Sequence, residues 1–479
     1  MTGVVRLLDA IADVGRAPSG GYERFAWTTH DLTLREWFAA EAEARGLSVV
    51  VDRAGNQWAW WGDPDADGPG VVTGSHLDSV PGGGAFDGPL GVASAFAALD
   101  ALRAAGVRPE RPLGIVNFSD EEGARFGLAC LGSRAVTGTV GADRLLSLRD
   151  GAGDSLADVL GRVSTGGVSP EHYGRDDEAL ARVGVFVELH VEQGRYLADL
   201  PSDEAAPVAV GAAIWPHGRW RVDLAGEANH AGTTPLAHRH DPMLDLARLI
   251  TDVRAAAEQA GALATLAKVQ VEPNGVNAIP SRVRAWIDAR AETEDAVRTV
   301  LSTLSGSLAA PNVGLVAGTG LSGRPGLRST NAERPGLRSA GRAGGWEPVQ
   351  ESWTPATVFD PALAARLADV VGRPGSDLPA PVIGTGAGHD AGILTAAGVP
   401  TAMLFVRNPT GVSHSPAELA EAADCEAGVA ALTAVLADLL TEPRDRQDVR
   451  WSAPRNADHL TSYRPSGGGE GAATVGETR

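Results

Sequence analysis

The sequence predicts an α/β fold, a mostly parallel sheet with flanking helices, into which a small α+β module is inserted. Two observations carry this reading. Four short β-rich runs are apolar on both faces, as strands covered by helices on either side should be: Val71–Val72 leading into Gly74-Ser75-His76, then Leu113–Phe118, Val183–Leu189 and Thr401–Val406. Helical patterns lie between them, including Leu90–Ala105 and the Cys130–Val136 region, and this alternation makes a layered α/β architecture. The rhythm then changes from Gly211 to Val316, where RWRVDLAG, DPMLDLARLITDVRAAAEQA, TLAKVQVEP, RVRAWIDARA and EDAVRTVLSTLSGSLAA read as strand, helix, strand, strand and helix.

The expected organisation is a parent domain in two parts, 1–210 and 351–441, interrupted by the module at 211–318. Between module and second part, 319–350 is rich in Gly, Pro and Arg and contains RPGLRS twice, from Arg324 and from Arg334. Two copies cannot stack into a solenoid, so this reads as a tandem duplication in a flexible, solvated loop. The segment 442–479, ending GGGEGAATVGETR, has too little apolar content to bury and reads as a disordered tail.

Composition narrows the function classes. A chain of 479 residues with 43% hydrophobic and 21% charged residues can build a sizeable core. Its 41 Lys and Arg against 60 Asp and Glu leave a net charge of −19 with no basic stripe, which argues against nucleic acid and anionic membrane surfaces as partners. Cys130 and Cys425 are far apart and lack CxxC spacing, so neither a disulfide framework nor a thiolate metal site is expected. The first residues, MTGVVRLLDAIADVGRA, carry acids among the apolar positions, unlike a secretory signal, and the uncharged stretch Ala427–Ala437 is too short to span a bilayer. A cytoplasmic location is expected.

Four segments carry chemistry. Gly74-Ser75-His76-Leu77-Asp78-Ser79-Val80 places a histidine at a strand end, with Asp78 able to accept from its second ring nitrogen. Asp87 follows in the Gly-rich turn GGGAFDGPLGV, where both carboxylate oxygens can serve two cations. The next strand runs into Ser119-Asp120-Glu121-Glu122-Gly123, whose adjacent glutamates diverge, so that one can ligate while the other stays free as a base. Glu188-Leu189-His190-Val191-Glu192-Gln193-Gly194 ends a third strand, and His414 lies in Gly411-Val412-Ser413-His414-Ser415-Pro416. Each alone reads equally as a cap, a packed histidine or a solvated acidic loop. Together they gather hard and borderline ligands at the carboxyl ends of strands, where open α/β sheets place their sites.

GSHLDSV, FDGPLGV, DEEGARFG, ELHVEQG, NHAGTTP, GAGHDA and SHSPAE, in this order, resemble the hydantoinase/carbamoylase family of amidases, of the aminoacylase/carboxypeptidase-G superfamily. The resemblance runs from about Ile11 to Leu440, leaving out the repeat loop. It implies a zinc-peptidase-like catalytic domain with an inserted lid and dimerisation domain, and a two-metal hydrolase of linear C–N amide bonds. The substrate class implied is a small ureido or carbamoyl compound: an N-carbamoyl-L-amino acid, allantoate or β-ureidopropionate. His76 and His190 match the ligands of one metal and Glu122 and His414 those of the other, with Asp87 between them, and Glu121 matches the general base. Zinc, manganese, cobalt and nickel all suit such donors.

In the module, His230 of NHAGTTP matches an oxyanion-stabilising histidine, and Asn277 and Arg290 match residues that hold the substrate carboxylate. Gln193 and His389 match further substrate-contacting positions. The resemblance also implies a homodimer, with His230, Asn277 and Arg290 reaching a site across the contact. His190 stands where the superfamily's peptidases carry Asp, which favours an amidase over a metallopeptidase or aminoacylase. A catalytically silent binding protein is disfavoured by the complete ligand set. One departure is Trp215-Pro216-His217, where relatives are Gly-rich: these residues either reshape the pocket or pack the hinge.

Overall fold

The structure is a computed structural model and describes residues 3–163, 168–307 and 348–441. The tail expected from 442 lies outside the described residues, as does the repeat-bearing loop up to 347.

Gly70–His76, Leu113–Phe118, Val183–Val191 and Thr401–Val406 form the parallel centre of a nine-stranded sheet. Their β-branched and aliphatic side chains are buried on both faces, the pattern that made them readable. The flanks are antiparallel: Gln57–Trp61 pairs with Leu113–Phe118, and Val208–Ile214 pairs with Thr401–Val406. Helix Pro89–Ala104 follows the turn that bears Asp87, and packs between the sheet and helix Ala422–Leu440. Covered on nearly every side, it is built from Ala, Leu, Val and Phe rather than showing one polar stripe.

The inserted segment makes a separate four-stranded antiparallel sheet in the order Val349–Thr354, His217–Ala225, Arg282–Arg290, Leu263–Glu272. Along His217–Ala225 the residues Gly218, Trp220, Val222 and Leu224 alternate inward. Trp220, Val222 and Leu224 meet Leu249 and Val253 of helix Pro242–Ala260 and Val297 and Val300 of helix Glu294–Ser307 in one apolar cluster. The junctions differ from those expected at 210/211 and 350/351. Gly211–Ile214 still belong to the large sheet, where Gly211 and Ile214 are buried, and Glu351–Thr354 still pair in the small one. Among the described residues no helix is long and apolar enough to cross a membrane.

Candidate metal centre and active site

All four central strands point their carboxyl ends at one edge, and each delivers a polar side chain there. His76 closes its strand, Glu121 and Glu122 follow Phe118, His190 is the penultimate residue of Val183–Val191, and the loop after Val406 carries His414. Asp87 is brought over by the turn into helix Pro89–Ala104. Gly88, at φ +82°, is required in that turn on two counts, because a Cβ would also fall within 2.4 Å of the His76 ring.

The Asp87 carboxylate is the centre of the cluster. Its Oδ1 lies 3.2 Å from His190 Nε2 and 3.7 Å from His76 Nε2, and its Oδ2 lies 3.4 Å from His414 Nε2. Glu122 Oε2 is 3.6 Å from His414 Nε2, and Glu121 Oε2 is 3.7 Å from His76 Nε2. His76, Asp87 and His190 form one group able to surround a cation, and Asp87, Glu122 and His414 a second. A third, Glu188, His190 and His389, lies deeper; there Glu188 already accepts from Ser75 Oγ at 2.9 Å and from the Ala391 amide at 3.0 Å.

The ring orientations suit metal ligation. His76 Nδ1 faces the Asp78 carbonyl at 3.1 Å and His190 Nδ1 faces the Val191 carbonyl at 2.8 Å, so with a cation bound each Nδ1 would keep its proton and each Nε2 would offer its lone pair. His76 Nε2 is buried without a hydrogen-bond partner. A divalent cation fits here, since it would satisfy that orphaned nitrogen and neutralise the gathered carboxylates.

Electrostatics reflect the crowding. Burial raises the Glu121 carboxyl well above its ordinary value, and burial together with Asp87 lifts Glu122 to about 8. Burial opposes charge on His190, but Asp87 outweighs it and brings the imidazole to about 8. Asp87 itself, though buried, is pulled well below the carboxylate range by His190 and His76. His414 and Asp120 both sit in the left-handed region, at φ 55° and 53°, a strain that collects at sites held in place by their surroundings.

Asp78 does more than the sequence indicated. Its carboxylate stands 3.5 Å from His76 Nδ1, and it also accepts from the backbone amides of Glu121 at 3.1 Å and Glu122 at 3.0 Å. One side chain therefore sets the histidine and both glutamates. Glu418 was missed: its Oε1 accepts from the amides of Phe86 at 2.9 Å and Asp87 at 3.0 Å, and Ser413 Oγ bridges Glu418 Oε2 to Asp87 Oδ2. Cys130 was missed as well, and its Sγ donates to Glu121 Oε1 at 3.3 Å.

The remaining predicted residues are distributed unevenly. Gln193 Nε2 donates to Asp87 Oδ2 at 2.8 Å, which puts it on the cluster itself. His389 is buried, with its ring centroid 4.6 Å from that of His190 and its Nε2 unpartnered. Burial and the neighbouring His190 hold it well below the ordinary imidazole value, hence neutral. Arg290 is half-buried: it donates through Nε to Asp288 at 2.7 Å and through Nη1 to the Gly386 carbonyl at 2.8 Å. That carbonyl belongs to the chain's own GAGHDA loop, and the other two residues expected with Arg290 at the substrate are His230 and Asn277. Those two are exposed and adjoin one another, the Ala231 amide donating to the Asn277 carbonyl at 2.9 Å.

Comparison with known proteins agrees with this geometry. The profile of Peptidase family M20/M25/M40 matches residues 72–438. An N-carbamoyl-L-amino acid amidohydrolase of Geobacillus stearothermophilus is 33% identical over 432 residues, covering 89% of this chain and 95% of its own. An allantoate amidohydrolase of Bacillus subtilis is 31% identical, covering 90% and 95%. The crystal structure of an amidase of the hydantoinase/carbamoylase family from Burkholderia vietnamiensis superposes with a TM-score of 0.73 at 29% identity, over 92% of this chain and 97% of that one. The chain therefore belongs to Peptidase family M20/M25/M40 and, within it, to the hydantoinase/carbamoylase amidases, metal-binding hydrolases of linear carbon–nitrogen bonds other than peptide bonds.

Proposed function

We propose that the protein is a cytoplasmic, homodimeric amidohydrolase that removes the ureido group of an N-carbamoyl-L-amino acid or of allantoate. The observation that carries the assignment is the divided Asp87 carboxylate, one oxygen facing His76 and His190, the other facing His414. This supports two divalent cations, zinc, manganese, cobalt or nickel, with His76 and His190 on one, Glu122 and His414 on the other, and Asp87 shared. When bound, such ions would polarise the scissile carbonyl and lower the pKa of a nearby water.

The chain's own residues supply the rest. Glu121 reaches the same pocket but belongs to neither cation group, which leaves it as general base. It takes the proton of the attacking water and delivers it to the departing nitrogen as the C–N bond breaks. Arg290, whose Nε and Nη2 are held by the Asp288 carboxylate and whose Nη1 is tied to the Gly386 carbonyl, is assigned to the substrate carboxylate through its remaining N–H groups. Gln193 and the unpartnered Nε2 of His389 are assigned to the substrate's polar atoms.

His230, as donor to the oxyanion, and Asn277, as second carboxylate ligand, would come from the partner subunit of the homodimer. Their exposure, with Leu236, Leu244, Leu263 and Val276 also left in solvent nearby in the sequence, supports a protein contact on this module.

The test is ammonia release from N-carbamoyl-L-amino acids, allantoate and β-ureidopropionate with manganese or cobalt added. Turnover of one of these is expected. Cleavage of dipeptides with no turnover of any ureido compound would overturn the reading.

A further inference from the structure

Trp215 opens the Trp215-Pro216-His217 segment, and the structure places it against the loop that carries Gly384, Gly386 and His389. Its indole lies over two glycines: a Cβ on Gly384 would fall 2.3 Å from Trp215 Nε1, and one on Gly386 would fall 3.2 Å from Trp215 Cε3. Neither glycine has a positive φ, so the backbone does not require glycine at either position, and the missing side chains serve to admit the ring. The Trp215 amide donates to the Thr385 carbonyl at 2.7 Å, which fixes the indole to the same loop.

Arg290 borders the same glycine. Its Nη1 donates to the Gly386 carbonyl at 2.8 Å, and its Cδ lies 4.0 Å from the position of the same absent Cβ. Indole and guanidinium therefore border one residue, three positions before His389, whose ring packs on His190. The indole is only partly covered. If Arg290 takes the substrate carboxylate, the α-carbon and its substituent come close to Gly386 and so to the indole that covers it.

We propose that Trp215 is the wall of the substrate's side-chain subsite and selects N-carbamoyl-L-amino acids with apolar, above all aromatic, side chains over allantoate. The proposal rests on the assignment of Arg290 to the carboxylate. An aromatic or aliphatic substituent loses water contact against the indole and gains dispersion and ring–ring contact. The second ureido group of allantoate presents N–H donors and a carbonyl that an indole face leaves unmatched, and unmatched polar groups lose binding.

The experiment compares kcat/KM for N-carbamoyl-L-phenylalanine, N-carbamoylglycine and allantoate in the full-length metal-loaded protein, Trp215→Ala, Trp215→Phe and Arg290→Lys. The wild type is expected to prefer the phenylalanine derivative over both others. Trp215→Ala is expected to cut its advantage over the glycine derivative by about tenfold, and Trp215→Phe to retain most of it. A parallel fall on all three substrates, with the ratios unchanged, would mean that Trp215 only packs the loop and would overturn the proposal; so would a wild type that prefers allantoate. Arg290→Lys tests the underlying assignment separately: KM is expected to rise for every substrate with the phenylalanine preference kept. An unchanged KM sinks the Arg290 assignment, and the Trp215 ratios still report on the indole.

Discussion

The carboxyl edge of the large sheet and the exposed two-stranded pairing of Asn229–His230 with Ala278–Ile279 on the inserted module differ in how far each is assembled. At the edge, His76, Asp87, Glu121 and His190 are at most 6% exposed, and each is fixed by another group. Asp78 grips the amides of Glu121 and Glu122, Glu418 grips that of Asp87, and backbone carbonyls set both histidine rings. On the inserted module, in and beside the two-stranded pairing of Asn229–His230 with Ala278–Ile279, His230 and Asn277 stand in solvent, and His230 Nδ1 accepts only from the Gly232 amide at 3.0 Å among the described residues. The chemistry is preorganised in a region of low dielectric, where oriented groups act most strongly, whereas His230 and Asn277, which the proposed function gives to recognition, are left exposed.

The largest effects should follow from breaking the assembled region. Asp87→Ala removes the shared carboxylate, and activity is expected to fall to background together with bound metal measured by elemental analysis. Retained metal at wild-type levels would refute the bridging role. Glu121→Gln separates base from ligands: kcat is expected to drop roughly 10²- to 10⁴-fold with metal content unchanged. A loss of metal in that variant would mean that Glu121 is a ligand.

The unassembled region is tested by complementation. His230→Ala is expected to lower kcat by about 10²- to 10³-fold, the usual cost of one lost oxyanion donor. Mixing His230→Ala with Glu121→Gln subunits, under conditions that exchange them, should then restore part of the activity, because one site of each mixed dimer receives both intact residues. Dimers that exchange without any recovery would place His230 in its own subunit's site.

The same division explains what could be read in advance. His76, Glu121, Glu122, His190 and His414 were legible because each follows an apolar strand, and strand ends are local features of sequence. The central strands were legible for the same reason. Glu418 stood inside the recognised SHSPAE motif yet had no visible task, since the amides it holds, Phe86 and Asp87, are more than 300 residues away in the chain. The antiparallel flanks were not read: Ser48–Val51 and Gln57–Trp61 span four and five residues, too short to establish a period. Arg290 was grouped with His230 and Asn277 because all three lie in the module, and its bond to the Gly386 carbonyl, 96 residues on, has no local sequence signal.

A last and smaller contrast concerns stability. The edge cluster depends on burial, whereas the outer face of the small sheet is laced by charge: Asp223 meets Arg282 at 2.6 Å, Arg221 at 2.9 Å and Arg284 at 3.2 Å. Slight burial works against the Asp223 charge, and Arg282, Arg221 and Arg284 overcome it, lowering the carboxyl from 3.8 to about 2. A folded value below the unfolded one means that the contribution is complete above about pH 4 and is lost as pH falls toward about 2. Because the groups are substantially solvated, the effect should be about 0.2–1 kcal/mol rather than what the full shift would give. Asp223→Asn is therefore expected to denature in slightly less urea than the wild type near pH 6, with the gap narrowing as pH falls below about 4 and as salt is added. A gap that stays constant across that range would show that Asp223 stabilises the sheet by hydrogen bonding alone, and that the charged face matters no more to this module than an uncharged one.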